Sequence, residues 1–331
     1  MKAIVVTALG GPEVLQVKDH PIPDPGANQV LIRVVATSVN FADVKARQGR
    51  YHGAGQPPFI PGLDAVGVVE RVGADVTGLR AGMRVAAFPA GGSYAEFVLA
   101  DEQLVFPLPD ALSWEMAAAL PTVGLTAYKL LYDVAQLRAG ETVLVHAAAG
   151  GVGTTAVQLA RILGAGQVFG TVGSPAKVAL ARSLGADGVV DYTQESFSER
   201  IQEWTQSRGV DVILDSVGGT VSEESLRCLA PFGRLVHFGQ SSGSGGRITV
   251  SDLHASCRAV LGYSLGTARR TRPQTLHPAA ETVLGLAAEG RLVMQVSRRY
   301  ALHEAAEAQR WLESRQSTGK IVLEVGGGVD F

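Results

Sequence analysis

A chain of 331 residues exceeds the size at which one hydrophobic core usually stops growing, so two domains are expected, and 46% apolar residues are ample for both cores. A net charge of −2 offers no basic excess for nucleic acid or an anionic membrane, and no run approaches the ~18 apolar residues that span a bilayer. Cys228 and Cys257 are the only cysteines, too few for a disulfide framework or a four-cysteine zinc site, which suits a reducing, cytoplasmic setting.

The N-terminal "MKAIVVTALGGPEV" carries one basic residue and an apolar run cut by Gly-Gly-Pro, so it reads as a strand and turn and not as a signal peptide. Short β-type runs follow over residues 1–110: "KAIVVTA", "QVLIRVVATSVN", "AVGVVERVG", "RVAAF" and "YAEFVLA". Strands at this spacing, with Pro and Gly between them, predict a small all-β barrel or roll. The character changes near Leu112. "SWEMAAALPTVGLTAYKLLYDVA" has helical spacing, with Ser113 as N-cap and Pro121 as a break between two helices.

From Glu141 strands and helices alternate: "TVLVHAA", helix 151–164, "QVFGTV", helix 175–184, "GVVDY", helix 196–207, "VDVILDSV", helix 221–229 and "GRLVHFG". That alternation predicts a doubly wound parallel sheet. "SSGSGG" (241–246) reads as a flexible loop. The tail holds helix 276–289, "VSRRYAL", helix 303–314 and a last strand "KIVLEV". It does not extend the alternation and is assigned to the first domain. The expected division is therefore 1–122 with 265–331, and 123–264.

"HAAAGGVGTTAVQLA" (146–160) links the first strand of the alternating region to its helix. This strand–turn–helix context makes Ala149, Gly150, Gly151, Val152 and Gly153 a candidate dinucleotide turn. Gly150 lets the backbone approach a pyrophosphate, Gly153 lets helix and strand pack, and the helix N-terminus offers N–H groups and partial positive charge. Ala148 stands where the first glycine of G-x-G-x-x-G is expected. It fits if its φ stays negative.

The end of the second strand reads "FGTVGSPAKVAL". NAD binders commonly place an acid there, against the ribose hydroxyls. Here Val172 and Gly173 stand at that position. Ser174, Lys177 and Tyr192 supply hydroxyls and a cation, a set that suits a 2′-phosphate. Lys177 as an exposed helix lysine and Tyr192 as a packed aromatic are the alternatives.

The chain resembles the medium-chain dehydrogenase/reductase superfamily over essentially its whole length, and within it the zinc-free quinone oxidoreductase branch. The matching stretches are "VNFADVKARQGRY" (39–51), "PGLDAVGVVERVG" (61–73), "GGSYAEFV" (91–98), "HAAAGGVG" (146–153), "LGADGVVDY" (184–192), "DVILDSVGG" (211–219), "GRLVHFGQSSG" (233–243) and "STGKIVLEV" (317–325). The resemblance implies a GroES-like β-rich catalytic domain, built from both ends of the chain, around a Rossmann cofactor domain. It implies NADPH, and a homodimer formed through the cofactor domains with "RAVLGYSLG" (258–266) at the interface. It adds Thr126 to the cofactor residues; Phe238, Gly239 and Ser241 join them because they follow a strand of the parallel sheet at its C-terminal end, the edge where ligands bind, and Val217 is a further candidate. It also puts Asn40, Asp43 and Tyr51 near the nicotinamide, on the loop after the third strand. Lys320 in "STGK" either reaches the cofactor or pairs at the surface.

Zinc members of the superfamily take ligands from a Cys near Asn40 and from a Gly-His-Glu segment. Here those stretches read "NFAD" and "GLD": Leu63 replaces the His, and Asp64 keeps an acid. Zinc needs three or four converging ligands, so no metal is expected. The seven His (20, 52, 146, 237, 254, 277 and 303) show no i, i+4 pair, and His146 and His237 read as core-strand residues. Without a Lewis acid, reduction of an already polarised acceptor, a quinone or an enone, is the expected chemistry. Asn40 then serves as an oxyanion donor and Tyr51 as a proton donor or wall. Lys45 stands where related quinone reductases often carry Tyr; it steadies an enolate or is a solvated loop lysine. Asp43 as a hydrogen-bonded loop carboxylate and Thr126 as a helix-packing residue are the structural alternatives. Two further functions stay open: an enoyl thioester reductase, with Arg269, Arg270 and Arg272 either forming a basic mouth or a solvated loop, and a non-catalytic NADPH-binding structural protein.

Overall fold

The computed structural model describes residues 1–51 and 55–326, and His52 lies outside them. The chain divides into two compact units, Met1–Leu125 with Thr267–Phe331, and Thr126–Gly266.

The first unit opens with β1 (Lys2–Val6), β2 (Leu15–Asp19) and β3 (Gln29–Val39). Then come α1 (Phe41–Arg47), β4 (Ala65–Val72), β5 (Arg84–Ala87), β6 (Phe97–Asp101), β7 (Val105–Pro107), α2 (Trp114–Ala119) and α3 (Pro121–Tyr128). As expected, α2 and α3 part at Pro121, and Ser113 caps α2 by accepting from the Met116 N–H at 3.3 Å.

The second unit carries β8 (Thr142–Val145), α4 (Gly151–Ile162), β9 (Gln167–Val172), α5 (Val178–Ser183), β10 (Gly188–Asp191) and α6 (Phe197–Trp204). It continues with β11 (Val210–Asp215), α7 (Thr220–Ser225), β12 (Leu229–His237), α8 (Val250–His254) and β13 (Ala259–Gly262). The chain then returns to the first unit through α9 (Leu265–Thr271), α10 (His277–Ala288), β14 (Val296–Ala301), α11 (Ala305–Glu313) and β15 (Lys320–Glu324).

The first unit is GroES-like and β-rich. Its main sheet runs β14-β15-β3-β4-β5-β7, with β6 also pairing β3. Alternate residues of β3 and its neighbours fill one core: Val30, Ile32, Val34, Ala65, Val69, Val85, Val98 and Val105 are all buried. The antiparallel register of β15 on β3 sets Ile321 opposite Val39 and Leu323 opposite Thr37. Lys320, one residue earlier, therefore lands beside Asn40.

The second unit is a Rossmann fold. Its parallel sheet has the order β10-β9-β8-β11-β12-β13, with the strand order reversing between β8 and β11. This is the doubly wound order, whose ligands bind off the carboxyl ends of the strands at the reversal point. Leu144, Phe169, Val190, Ile201, Ile213 and Leu235 make its core.

Several details differ from the sequence expectations. The loop expected after β3 is a helix, α1. Asn40 caps it, Asp43 accepts from the Asn40 backbone N–H at 2.8 Å, and this capping box starts the turn. The region expected as helix 175–184 begins as a tight 3-10 turn, Pro175–Lys177, before α5. Helix 221–229 stops at Ser225, and β12 starts at Leu229, ahead of Phe232 at φ +62. "TARRTRP" is mostly α9 and not a loop. Beyond the Gly-Ser loop, α8 and the edge strand β13 complete the unit; both are too short to show a clear period in the sequence.

Candidate active site

In the second unit, β8 ends at Val145 and the chain turns through residues 146–150 into α4, with Gly150 as N-cap. The left-handed residue of the turn is Ala147, at φ +52; Ala148 keeps a negative φ, the condition under which alanine can stand there. A Cβ on Gly153 would lie 2.2 Å from the Ala147 carbonyl oxygen and 2.7 Å from the Ala148 Cα. The helix thus packs on the turn at a distance only glycine allows. The N-terminus of this 12-residue helix faces out of the turn with its first N–H groups free of intrahelical partners.

Past the end of β9, Gly173 and Tyr192 meet. A Cβ on Gly173 would come 2.5 Å from the Tyr192 hydroxyl oxygen. Tyr192 follows β10 and donates its backbone N–H to the Val172 carbonyl at 3.1 Å. Ser174 opens the 3-10 turn that ends at Lys177, and the Lys177 N–H donates to the Ser174 carbonyl at 3.1 Å. Lys177 is half-buried, and desolvation lowers its ammonium from the ordinary lysine range. Gly173, Ser174, Lys177 and Tyr192 thus share one corner at the carboxyl ends of neighbouring strands, with no carboxylate at the end of β9.

The next strand ends carry a second cluster. Asp215, fully buried at the end of β11, accepts from the backbone N–H groups of Val217 at 2.8 Å and Gly218 at 3.0 Å. It also accepts from Ser222 Oγ and lies 3.1 Å from His237 Nδ1. Burial opposes its ionisation, but these donors prevail, and Asp215 stays well below the usual carboxylate range. The 216–219 and 238–242 loops are laced together: Phe238 donates to the Asp215 carbonyl, Ser241 to the Ser216 carbonyl and Ser242 to the Val217 carbonyl. Val217, Phe238, Gly239 and Ser241 are therefore brought to one place. Asp215 was missed by sequence reasoning. Its signal was an acid closing the apolar run "VDVILD" just before Gly-Gly. His146 is buried, with Nδ1 2.9 Å from Thr171 Oγ1 and Nε2 2.9 Å from Ser225 Oγ, and burial lowers its pKa. His237, expected in the core, is half-buried at the strand end. Thr126 is buried on α3.

The first unit holds the other candidates. Asn40, at the end of β3, is 6% exposed. Its Nδ2 faces the Ser38 carbonyl at 3.3 Å and Asp64 Oδ1 at 3.4 Å, while its Oδ1 accepts from Lys320 Nζ at 2.7 Å. Lys320 Nζ also donates to the Val39 carbonyl at 3.0 Å. The surface reading of Lys320 is overturned: it is 3% exposed, because the β15 register points it inward onto Asn40. Desolvation lowers its pKa, opposed by Asp64 and Asp43. Asp64 itself is saturated, accepting from Ser38 Oγ at 2.7 Å and the Thr122 N–H at 2.9 Å.

Asp43 is buried on α1 and accepts from the Tyr94 hydroxyl at 3.0 Å. Desolvation raises its pKa to about 7. Tyr94, fully buried, was another residue that sequence reasoning passed over. Lys45, half-buried on the same helix, lies over the Phe41 ring at 5.6 Å, and desolvation lowers its pKa. Tyr51 is half-buried; desolvation raises its phenol pKa, with Arg269 pulling it down and Asp43 pushing it up. Arg269 is partly buried: it lies over the Phe88 ring at 4.5 Å and donates to the Pro89 carbonyl at 3.2 Å. Among the described residues, no group of three or more His, Cys, Asp or Glu is placed to hold a metal ion, and no helix is long and apolar enough to cross a membrane.

Comparison with known proteins shows the family and the fold of the chain. The Alcohol dehydrogenase GroES-like domain family matches residues 26–110, and the Zinc-binding dehydrogenase family matches residues 151–282. A quinone oxidoreductase of Pseudomonas aeruginosa is 42% identical over 326 residues, covering 97% of this chain and 99% of the relative. Quinone oxidoreductase 1 of Escherichia coli is 37% identical, covering 95% and 96%. The crystal structure of Escherichia coli quinone oxidoreductase complexed with NADPH superposes with a TM-score of 0.91 at 35% identity, covering 98% of this chain and 100% of that one.

Proposed function

Because the chain belongs to the medium-chain dehydrogenase/reductase superfamily, in its quinone oxidoreductase branch, we propose that it is an NADPH-dependent reductase of quinones or α,β-unsaturated carbonyls that works without a metal. The observation that carries this reading is the carboxylate-free end of β9, beside a glycine turn that a pyrophosphate can approach.

The residues present fit the cofactor. Gly150, Gly151 and the N-terminus of α4 would hold the pyrophosphate, with Gly153 keeping helix and turn in contact. Ser174, Lys177 and Tyr192 would hold the 2′-phosphate, where an acid would repel it. When bound, NADPH supplies a hydride, and the protein supplies position and electrostatics. Hydride addition leaves negative charge on the acceptor oxygen, and that charge needs a donor. The Tyr51 hydroxyl is the proposed donor. Asn40 is fixed by Lys320 and Asp64, and Asp43 by Tyr94; the two would form a rigid floor beneath the acceptor. Metal independence rests on the donor set: Leu63 is not a ligand, and Asp64 is already committed to Ser38, Asn40 and Thr122. The edge position of β13 supports a dimer through the cofactor units, and the cysteine usage supports a cytoplasmic setting.

Steady-state NADPH oxidation with a quinone, an enone and an enoyl-CoA tests the reading. Turnover of the quinone or the enone is expected. Turnover of the enoyl thioester alone would instead identify an enoyl thioester reductase, and tight NADPH binding with no turnover would identify a non-catalytic binder.

A further inference from the structure

Asp215 joins three segments of the second unit through one carboxylate. Its Oδ1 accepts from the backbone N–H groups of Val217 at 2.8 Å and Gly218 at 3.0 Å, an Asx-type turn that the strand end makes with its own loop. Its Oδ2 accepts from Ser222 Oγ on α7 and lies 3.1 Å from His237 Nδ1 at the end of β12. The 216–219 loop is thereby tied to the helix that follows it and to the neighbouring strand.

Packing does not require an acid at such a place. β8 and β9 end in buried valines, Val145 and Val172, and Asp215 is itself fully buried. Burying a carboxylate is unfavourable unless its oxygens are well supplied with donors, and here both are. What the arrangement secures is a fixed loop. Gly218 and Gly219 stand at φ +76 and +63, successive left-handed positions held by residues with the widest backbone freedom. The 238–242 loop rests on this one. Ser241 donates to the Ser216 carbonyl and Ser242 to the Val217 carbonyl, both at 3.0 Å. Both loops leave the carboxyl ends of β11 and β12, across the reversal point from the corner after β9. A dinucleotide with its 2′-phosphate at that corner would lay its other half, the nicotinamide, over them.

We infer that Asp215 is a positioning residue for the cofactor, fixing the 216–219 and 238–242 loops in the form that receives the nicotinamide half of the dinucleotide. The inference rests on the reductase reading and deepens it by assigning a residue that acts through the backbone of Val217 and Gly218. Because that half is common to NADH and NADPH, Asp215 governs affinity for both and selects neither.

The experiment measures dissociation constants of NADPH and NADH by calorimetry, and hydrogen exchange of the cofactor-free protein, in the wild type, Asp215→Ala, Asp215→Asn and Ser222→Ala. Asp215→Ala should weaken both cofactors alike, by about tenfold or more, the range for a lost hydrogen bond to a charged group. Exchange should quicken at 216–219 and 238–242 while β8 and α4 keep wild-type protection. Asp215→Asn keeps an oxygen for Val217 and Gly218 but loses the acceptor shared by Ser222 and His237, so it should recover part of the affinity. In steady state the loss should fall on the KM for the cofactor more than on kcat. If Asp215→Ala does not fold, Asp215→Asn and Ser222→Ala decide, each expected to weaken both cofactors to a smaller extent. Wild-type affinity for both cofactors in the folded variants, or faster exchange throughout the second unit with no loss of affinity, overturns the inference and leaves the reductase reading standing. Weakening of NADPH alone also overturns it, since Asp215 would then act at the 2′-phosphate. No binding of either nucleotide by the wild type overturns the reading itself.

Discussion

Lys320 Nζ donates to Asn40 Oδ1 at 2.7 Å, a bond that ties the last strand of the chain to the first turn of α1 across 280 positions of sequence. Both residues are buried, and the same ammonium holds the Val39 carbonyl at 3.0 Å. Lys320→Met leaves two acceptors unsatisfied, each costing about 1–3 kcal/mol. Thermal unfolding of this variant should begin well below that of the wild type. If the bond also orients Asn40, kcat/KM for the acceptor should fall while NADPH affinity stays within a few-fold. Loss of stability with unchanged kcat/KM would make the bond purely structural.

Asp43 gives a pH signature. Its native pKa is about 7, against 3.8 in the unfolded chain, because desolvation disfavours the carboxylate. The native state therefore binds the proton more tightly. The stabilisation is complete below pH 3.8 and is lost as pH rises to about 7, above which the contribution is flat. Chemical denaturation of the wild type between pH 4 and 8 should show this decline, on the order of a few kcal/mol. Asp43→Asn, which cannot ionise, should lack it. An Asn variant with the same pH slope would assign the slope to another group.

Much of the fold was legible because its periods are long and its punctuation strong. The alternating region from Glu141 showed nine of its elements as apolar runs and amphipathic helices, and Ser113 and Pro121 marked helix ends by simple capping and ring sterics. What stayed hidden depends on distant partners. Helix α1 follows from a reciprocal pair, Asn40 and Asp43, embedded in an otherwise loop-like string. Lys320 stood open between a surface pair and the cofactor until the β15 register turned it inward, and register is a property of pairing, not of either strand alone. Arg269 sat in a basic run that reads as solvated; only the Phe88 ring, far away in sequence, shows why it is partly buried. The cofactor-side candidates were easier, since glycines and strand ends act locally. Even there Asp215 was overlooked, because a buried acid is visible only with its donors.

The glycine turn separates folding from binding. A Cβ at Gly153 meets the Ala147 oxygen at 2.2 Å, which forces the helix off the turn, whereas at Gly150 the same atom is 3.3 Å away, a tight but adjustable contact. Gly153→Ala should destabilise the second unit by about 1–3 kcal/mol or more, as for other overpacked sites. Gly150→Ala should fold with near-normal stability and bind NADPH more weakly if, as proposed, the pyrophosphate approaches there. Equal melting temperatures for the two variants would contradict this division.

Metal independence is tested by chelation. Prolonged dialysis against a strong chelator should leave turnover unchanged, and metal analysis should find well under one zinc per chain. The physical ground is that, among the described residues, Asp64 has no converging partner ligands, with Leu63 beside it and Ser38, Asn40 and Thr122 already on its oxygens. Stoichiometric zinc whose removal abolishes activity would refute the assignment.

Cofactor choice should be decided at the far corner of β9, because the pyrophosphate, which the glycine turn is proposed to hold, is common to NADH and NADPH. At that corner Gly173 leaves room only for the Tyr192 hydroxyl, no acid stands at the strand end, and Ser174 and Lys177 lie on one tight turn. A hydrogen bond to a charged group is worth about 1.5–3 kcal/mol, so Lys177→Ala should weaken NADPH by roughly 10- to 150-fold. Lys177 is half-buried, so screening by water and salt moves the expected loss toward the lower end. NADH, which lacks the phosphate, should bind the variant as it binds the wild type. Raising the salt concentration should narrow the wild-type preference for NADPH in the same direction as the mutation. Gly173→Ala should act differently: its methyl displaces the Tyr192 hydroxyl and should weaken both cofactors through the shape of the corner. Equal wild-type kcat/KM for the two cofactors would sink the assignment. A Lys177→Ala variant that weakens both alike would sink it too, since the lysine would then be acting on the turn and not on the phosphate.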